Sequence, residues 1–143
     1  MPDGFISIHK SHAYLSWRYE DHPGARYELY EVRAEGVFTG YVVLRTSRFR
    51  VDVSDIALTN MQEYEVVMVL QAIQSLAVAM HKRLVVLGVL ENEYWKRILK
   101  ECRAIKKPMN EAYYLTVKVH QEHNIQPEIY DVRRWICMTG DIL

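Results

Sequence analysis

The stretch RFRVDVSDIALTNMQEYEVVMVLQAI, Arg48 to Ile73, decides how this chain is read, because two periodicities meet in it. In its first half apolar and polar residues alternate, with Phe49, Val51 and Val53 on one face and Arg50, Asp52 and Ser54 on the other, which is the period of a strand. From Met61 to about His81 the apolar residues Val66, Val67, Val69, Leu70, Ile73, Leu76, Ala77 and Met80 cover more than one helical stripe, and Gln71, Gln74 and Ser75 leave only a narrow polar line. That pattern predicts a long, largely buried helix. A strand therefore feeds a helix through a turn that contains no glycine. Asp55 falls in phase with the inward set, and a carboxylate on an apolar face costs several kcal/mol, roughly, unless it is paired or hydrogen-bonded. Either a bulge re-aims it or it has a chemical task.

Working downstream, RLVVLGVL (83–90) reads as a continuous apolar strand of the parallel-sheet type. Asn92 is placed to cap a helix whose Trp95, Ile98, Leu99 and Cys102 recur at helical spacing, with Glu93 and Arg97 spaced for an ion pair. AYYLTVKV (112–119) and RWICMT (134–139) are two further predicted strands, separated by a polar loop from His120 to about Asp131. Working upstream, RYELYEV (26–32) and VFTGYVVLR (37–45) form a predicted hairpin through Ala34, Glu35 and Gly36. In the first, Tyr27, Leu29 and Glu31 share one face and Glu28, Tyr30 and Val32 the other, whereas the second is apolar enough for a central strand covered on both faces. SHAYLSWRY (11–19) predicts a short helix capped by Ser11 and ended by Pro23 and Gly24. The order helix, three strands, helix, strand, helix, two strands predicts an α/β (α+β) domain. Its sheet should be mixed and mostly antiparallel, with about six strands, one parallel pair and helices on both faces.

The 143 residues suit one domain, and 50% hydrophobic with 25% charged residues is ordinary for a folded chain. Ten tyrosines and three tryptophans promise a substantial core. A formal net charge of zero argues against sequence-independent attraction to nucleic acid. The longest apolar run, Val66 to Met80, is shorter than the roughly 20 residues of a membrane span and is broken by Gln71, Gln74 and Ser75. The first residues, MPDGFISIHK, lack the basic and then apolar pattern of a signal peptide. Cys102 and Cys137 sit at apolar positions without metal-type neighbours and read as free buried thiols, which points to a cytoplasmic setting. HKSH (His9, His12) and HQEH (His120, His123) pair histidines three apart but offer no third ligand, so no metal site is expected.

The element order is similar to that of the GNAT superfamily of acyl-coenzyme A N-acyltransferases. YLSWRYEDHPGARYELYEV followed by GYVVLR resembles a segment of bacterial GNAT-like proteins built of two tandem lobes. VSDI (53–56) and a terminal TGD (139–141) add to the likeness. The resemblance implies a single GNAT-like domain, the carboxy-terminal lobe of a longer protein, whose partner is a second GNAT-like lobe of the same chain; the ending GDIL, without a polar tail, fits a truncated chain. It also implies a splayed parallel strand pair with an acyl-coenzyme A arm between the strands, and acyl transfer to an amine such as an amino sugar. Val53, Ser54, Ile56, Thr59 and Asn60 would then line the coenzyme. Asp55 or Asp52 would serve as the base and Tyr94 as the acid that reprotonates the thiolate.

The residues also argue against that site. In the family a Q/R-x-x-G-x-G/A turn lets backbone N–H groups at a helix start reach the diphosphate. Here Ala57 to Glu65 reads ALTNMQEYE, with no glycine and no basic residue. Thr59 with Gln62, or Asn60 with Glu63, has capping-box spacing, and either pair would occupy N–H groups that a phosphate needs. Glu63 and Glu65 stabilise a helix start and repel a diphosphate. The alternative is thus a degenerate GNAT lobe without coenzyme binding, acting as a packing or binding module. Asp52 also reads as a solvated strand residue, and Tyr94 as a packing residue. Trp17, Arg18, Tyr19, His22 and Pro23 either line a sugar or amine pocket or anchor the first helix on the sheet through Trp17.

Overall fold

A computed structural model describes residues 10–90, 92–106, 131, 134 and 138. The hairpin comes first: β1 (Glu28–Ala34) and β2 (Val37–Thr46) run antiparallel. Their turn places Glu35 at φ 51° and Gly36 at φ 82°, and two successive positive values match the right-handed twist of the strands. At Gly40 (φ 155°) a Cβ atom would lie 2.1 Å from the Ala57 carbonyl oxygen, so only glycine admits this approach of β2 to the next strand. β3 (Arg50–Leu58) pairs antiparallel with β2, and β4 (Leu84–Leu87) pairs parallel with β3, in the order β1-β2-β3-β4.

The fold is α+β with a mixed sheet, four strands among the described residues and one parallel pair. The expected strand 112–119 lies outside the described residues; of the expected strand 134–139, Met138 is described and bridges antiparallel to Val89. The hairpin, the central β2 with Val42, Val43 and Leu44 buried, and the β3–helix–β4 crossover follow the sequence reading.

α2 (Glu63–Ala79) packs through Val66, Val69, Leu70, Ile73 and Ala77 on the face of the sheet that carries Val42, Leu44, Val51, Val53 and Ile56. α3 (Glu93–Glu101) adds Tyr94, Trp95 and Ile98 to the same core. Asn92 caps α3 as expected, its Oδ1 accepting from the Trp95 N–H at 2.9 Å. α2 ends in a Schellman arrangement, with the Lys82 N–H on the Ala77 carbonyl and the His81 N–H on that of Val78, and His81 at φ 56° takes the left-handed position usually filled by glycine. On the chain's first segment, Ser11 caps α1 (His12–Leu15), accepting from the Tyr14 N–H, and the helix widens into a π-helical turn over Ser16–Glu20.

Several expectations are corrected. Phe49 is 49% exposed rather than inward, because β3 begins at Arg50 and Phe49 belongs to the preceding turn. The two faces read for β1 are kept, with Glu28, Tyr30 and Val32 as the sheltered set and Leu29 and Glu31 facing solvent. β4 is not covered on both faces: Val85 and Leu87 pack on the core, but Leu84 and Val86 stay exposed. Trp17 does not anchor the first helix; it is 64% exposed and touches Tyr14, while Tyr19 is buried with its ring edge-on to Tyr27.

Candidate functional site

The junction between β3 and α2 is where the resemblance places a coenzyme, and its geometry begins with a bulge. Val43 pairs with Asp55 while its neighbour Leu44 pairs with Val53, so Ser54 is an extra residue in β3. The bulge restores Ile56 to the core and turns Asp55 to the other face, opposite Val43. There the Asp55 carboxylate is fully buried and ion-paired to Lys10 Nζ at 2.5 Å, with the Tyr41 hydroxyl donating at 3.3 Å. The first reading of Asp55 holds: a bulge re-aims it, and a cation from the segment before α1 compensates its charge.

Parallel pairing of β3 with β4 runs from Arg50↔Leu84 to Val53↔Leu87, whereas β3 continues beside β2 to Leu58. The two strands therefore part company at the bulge. Val53 and Ile56 are buried in the core and Ser54 is half-buried. Thr59 extends the β2 ladder, its N–H and hydroxyl both donating to the Thr39 carbonyl at 2.8 and 3.0 Å. Asn60 is exposed.

The helix start differs in register from the sequence reading. Neither Thr59 with Gln62 nor Asn60 with Glu63 forms the capping box. Gln62 is the cap residue; its side chain accepts from the Glu65 N–H, and the Glu65 carboxylate accepts from the Gln62 N–H at 3.2 Å. The shift follows from Met61, which turns the chain at φ 51° and buries its side chain, its sulfur accepting from the Leu58 N–H at 3.3 Å. The Met61 carbonyl then accepts from the buried Tyr94 hydroxyl at 2.8 Å. Burial, reinforced by the charges of Glu63 and Glu65, pushes the Tyr94 phenol well above the ordinary tyrosine value, so it stays protonated. Glu63 is held by a forked contact from Arg97, at 2.6 and 2.9 Å, instead of the expected Glu93–Arg97 pair; Glu93 meets Lys96. The hydrogen bond to Glu63 raises the Arg97 guanidinium further above its ordinary value.

The two candidate catalytic groups are thus not brought together. Tyr94 lies in the core on the face that carries α2 and α3, and Asp55 points to the opposite face. Asp52 is half-buried and pairs with Arg50 at 3.1 Å. Tyr94 does join the junction, by bracing its backbone. Lys10 and Tyr41 were not singled out in the sequence, and Met61 and Arg97 were read without these partners; Lys10 and Asp55 are 45 positions apart and Arg97 and Glu63 are 34 apart, beyond the reach of any local pattern.

Among the described residues no three His, Cys, Asp or Glu side chains gather as a metal site, and no helix is long and apolar enough to cross a membrane. His9, His120, His123 and Cys137 lie outside the described residues, and the half-buried Cys102 thiol is pushed up by burial and by Glu101. No family model, curated protein or solved structure matches this chain.

Proposed function

We propose that this chain is a GNAT-like lobe whose coenzyme site has become a closed helix start, and that it acts as a packing or binding module for a second GNAT-like lobe. The observation that carries this reading is the first turn of α2. The Gln62–Glu65 capping box occupies two backbone N–H groups, and Glu63 is committed to Arg97. A diphosphate would have to displace that cap and approach two carboxylates, with no glycine to let the backbone come close. Tyr94, spent on the Met61 carbonyl, and Asp55, neutralised by Lys10, are both engaged away from a shared reaction centre.

One observation favours the second reading, an active N-acyltransferase lobe using acyl-coenzyme A and an amine. The bulge at Ser54 stands where β3 leaves β4, and backbone groups freed there suit an extended pantetheine arm.

Melting the protein with and without millimolar acetyl-coenzyme A separates the two. A ligand at 100 times its Kd stabilises by about 2.7 kcal/mol, a shift of several degrees for a chain of this size. No shift is the expected result, and a rise of that order overturns the first reading. If cap and charge are the obstacles, Glu63→Gly with Glu65→Lys should gain some coenzyme binding while losing helix-start stability.

A further inference from the structure

The end of the sheet far from the α2 start gathers cations from two loops. Arg45 is the next-to-last residue of β2, Arg48 and Phe49 lie in the β2–β3 turn, Arg50 opens β3, and Lys82 with Arg83 leads into β4. The loops are tied together: the Arg83 N–H donates to the Phe49 carbonyl at 2.8 Å, and Lys82 Nζ donates to the Ser47 carbonyl at 2.7 Å. Phe49 serves as their common support, with the Arg48 guanidinium 4.9 Å and that of Arg83 5.5 Å from the ring centroid. Asp52 is the one carboxylate among the described residues that pairs into this group, and it is taken by Arg50. Among the described residues these cations outnumber the carboxylate that pairs with them, and such an excess of one sign favours an anion.

The cations do not stand alone. Leu84 is 59% and Val86 39% exposed. They are register partners of Arg50 and Asp52, on the sheet face turned away from α2 and α3. Lys10 reaches that same face at Asp55, where Val43 and Asp55 are buried, whereas Leu84 and Val86 are exposed.

We propose that this end of the domain is a peripheral docking surface for an anionic lipid bilayer. A bilayer interface supplies phosphates to Arg45, Arg48, Lys82 and Arg83 and a less polar layer to Phe49, Leu84 and Val86. An acidic protein segment or a nucleic acid would meet the charges and leave the apolar side chains in water.

The test is sedimentation of the intact chain with vesicles of mixed phosphatidylglycerol and phosphatidylcholine, and with vesicles of phosphatidylcholine alone. Binding is expected to the mixed vesicles and to fall as salt rises from about 0.1 to about 1 M, as the screening length shortens. Each basic residue near such a surface contributes about five-fold to partitioning, so Arg48→Gln with Arg83→Gln should lose about 25-fold. Arg48→Lys with Arg83→Lys keeps the charge and should keep most of the binding, which separates charge loss from misfolding. Lys100→Gln with Arg103→Gln, at the end of α3, should change nothing. Equal binding to phosphatidylcholine alone, no binding at low salt, or full binding by the Gln pair overturns the proposal. Binding of duplex DNA through Arg48 and Arg83 without binding to vesicles also overturns it.

Discussion

The two faces of this sheet solve burial differently. On the face under α2 and α3, Val42, Leu44, Val51, Val53 and Ile56 pack in a cluster of aliphatic and aromatic side chains, where non-directional contact dominates. On the other face, Val43 is as deeply buried, yet its neighbour across the strands is Asp55, whose charge Lys10 and Tyr41 must satisfy. One extra residue, Ser54, separates the two solutions, because it changes which side chains each face receives. The first face tolerates exchange among apolar residues of similar size. The second depends on specific partners, since a buried charge without its counter-charge is expensive.

The largest expected effect breaks the polar face. Lys10→Met removes the cation that faces the buried Asp55 and should cost about 3–5 kcal/mol in denaturant unfolding. Lys10→Met with Asp55→Asn should recover much of that loss. If Lys10→Met is neutral, the pair does not hold the first segment to the sheet.

Tyr94→Phe probes the one hydroxyl that braces the apolar face's helix start. It strands the Met61 carbonyl and should cost about 1–3 kcal/mol. The folded-state pKa of Tyr94 is raised, so its contribution is complete below the unfolded tyrosine value near 10 and is lost as pH rises above it. The wild-type chain should therefore lose stability above about pH 10 more steeply than Tyr94→Phe does. Parallel curves for the two proteins would remove Tyr94 from the account.

The smallest effect concerns the cap. Gln62→Ala with Glu65→Ala should destabilise by about 1 kcal/mol, since both cap partners go together. The Thr59→Ala change, at one of the two positions that the sequence offers for the cap, should act through the Thr39 contact and leave the α2 start intact. Amide exchange at the first turn of α2 reads both; faster exchange in Thr59→Ala alone would return the cap to the earlier register.

The hairpin, the long buried helix, the Asn92 cap and the strand–helix–strand order were legible because each rests on short-range periodicity or on a capping side chain next to its own helix. The position of the α2 cap was legible only in kind. Glutamates and amides crowd that turn, several spacings qualify, and the choice fell to Met61, whose positive φ and buried sulfur start the helix two residues later than its apolar pattern does. The anomaly at Asp55 was visible as a break in phase, but its resolution was not.

By itself, then, the sequence determined the alternation of strand and helix, the apolar faces that must be covered, and a helix start rich in carboxylates and without glycine. Those follow from residues within a few positions of one another. Tertiary structure alone decided that Lys10 answers Asp55, that Arg97 answers Glu63, that Tyr94 braces Met61, and that Arg48 and Arg83 share Phe49. Each joins side chains that no repeat or spacing links, and the strand register, set by one bulged residue, determines which face of the sheet Asp55 meets.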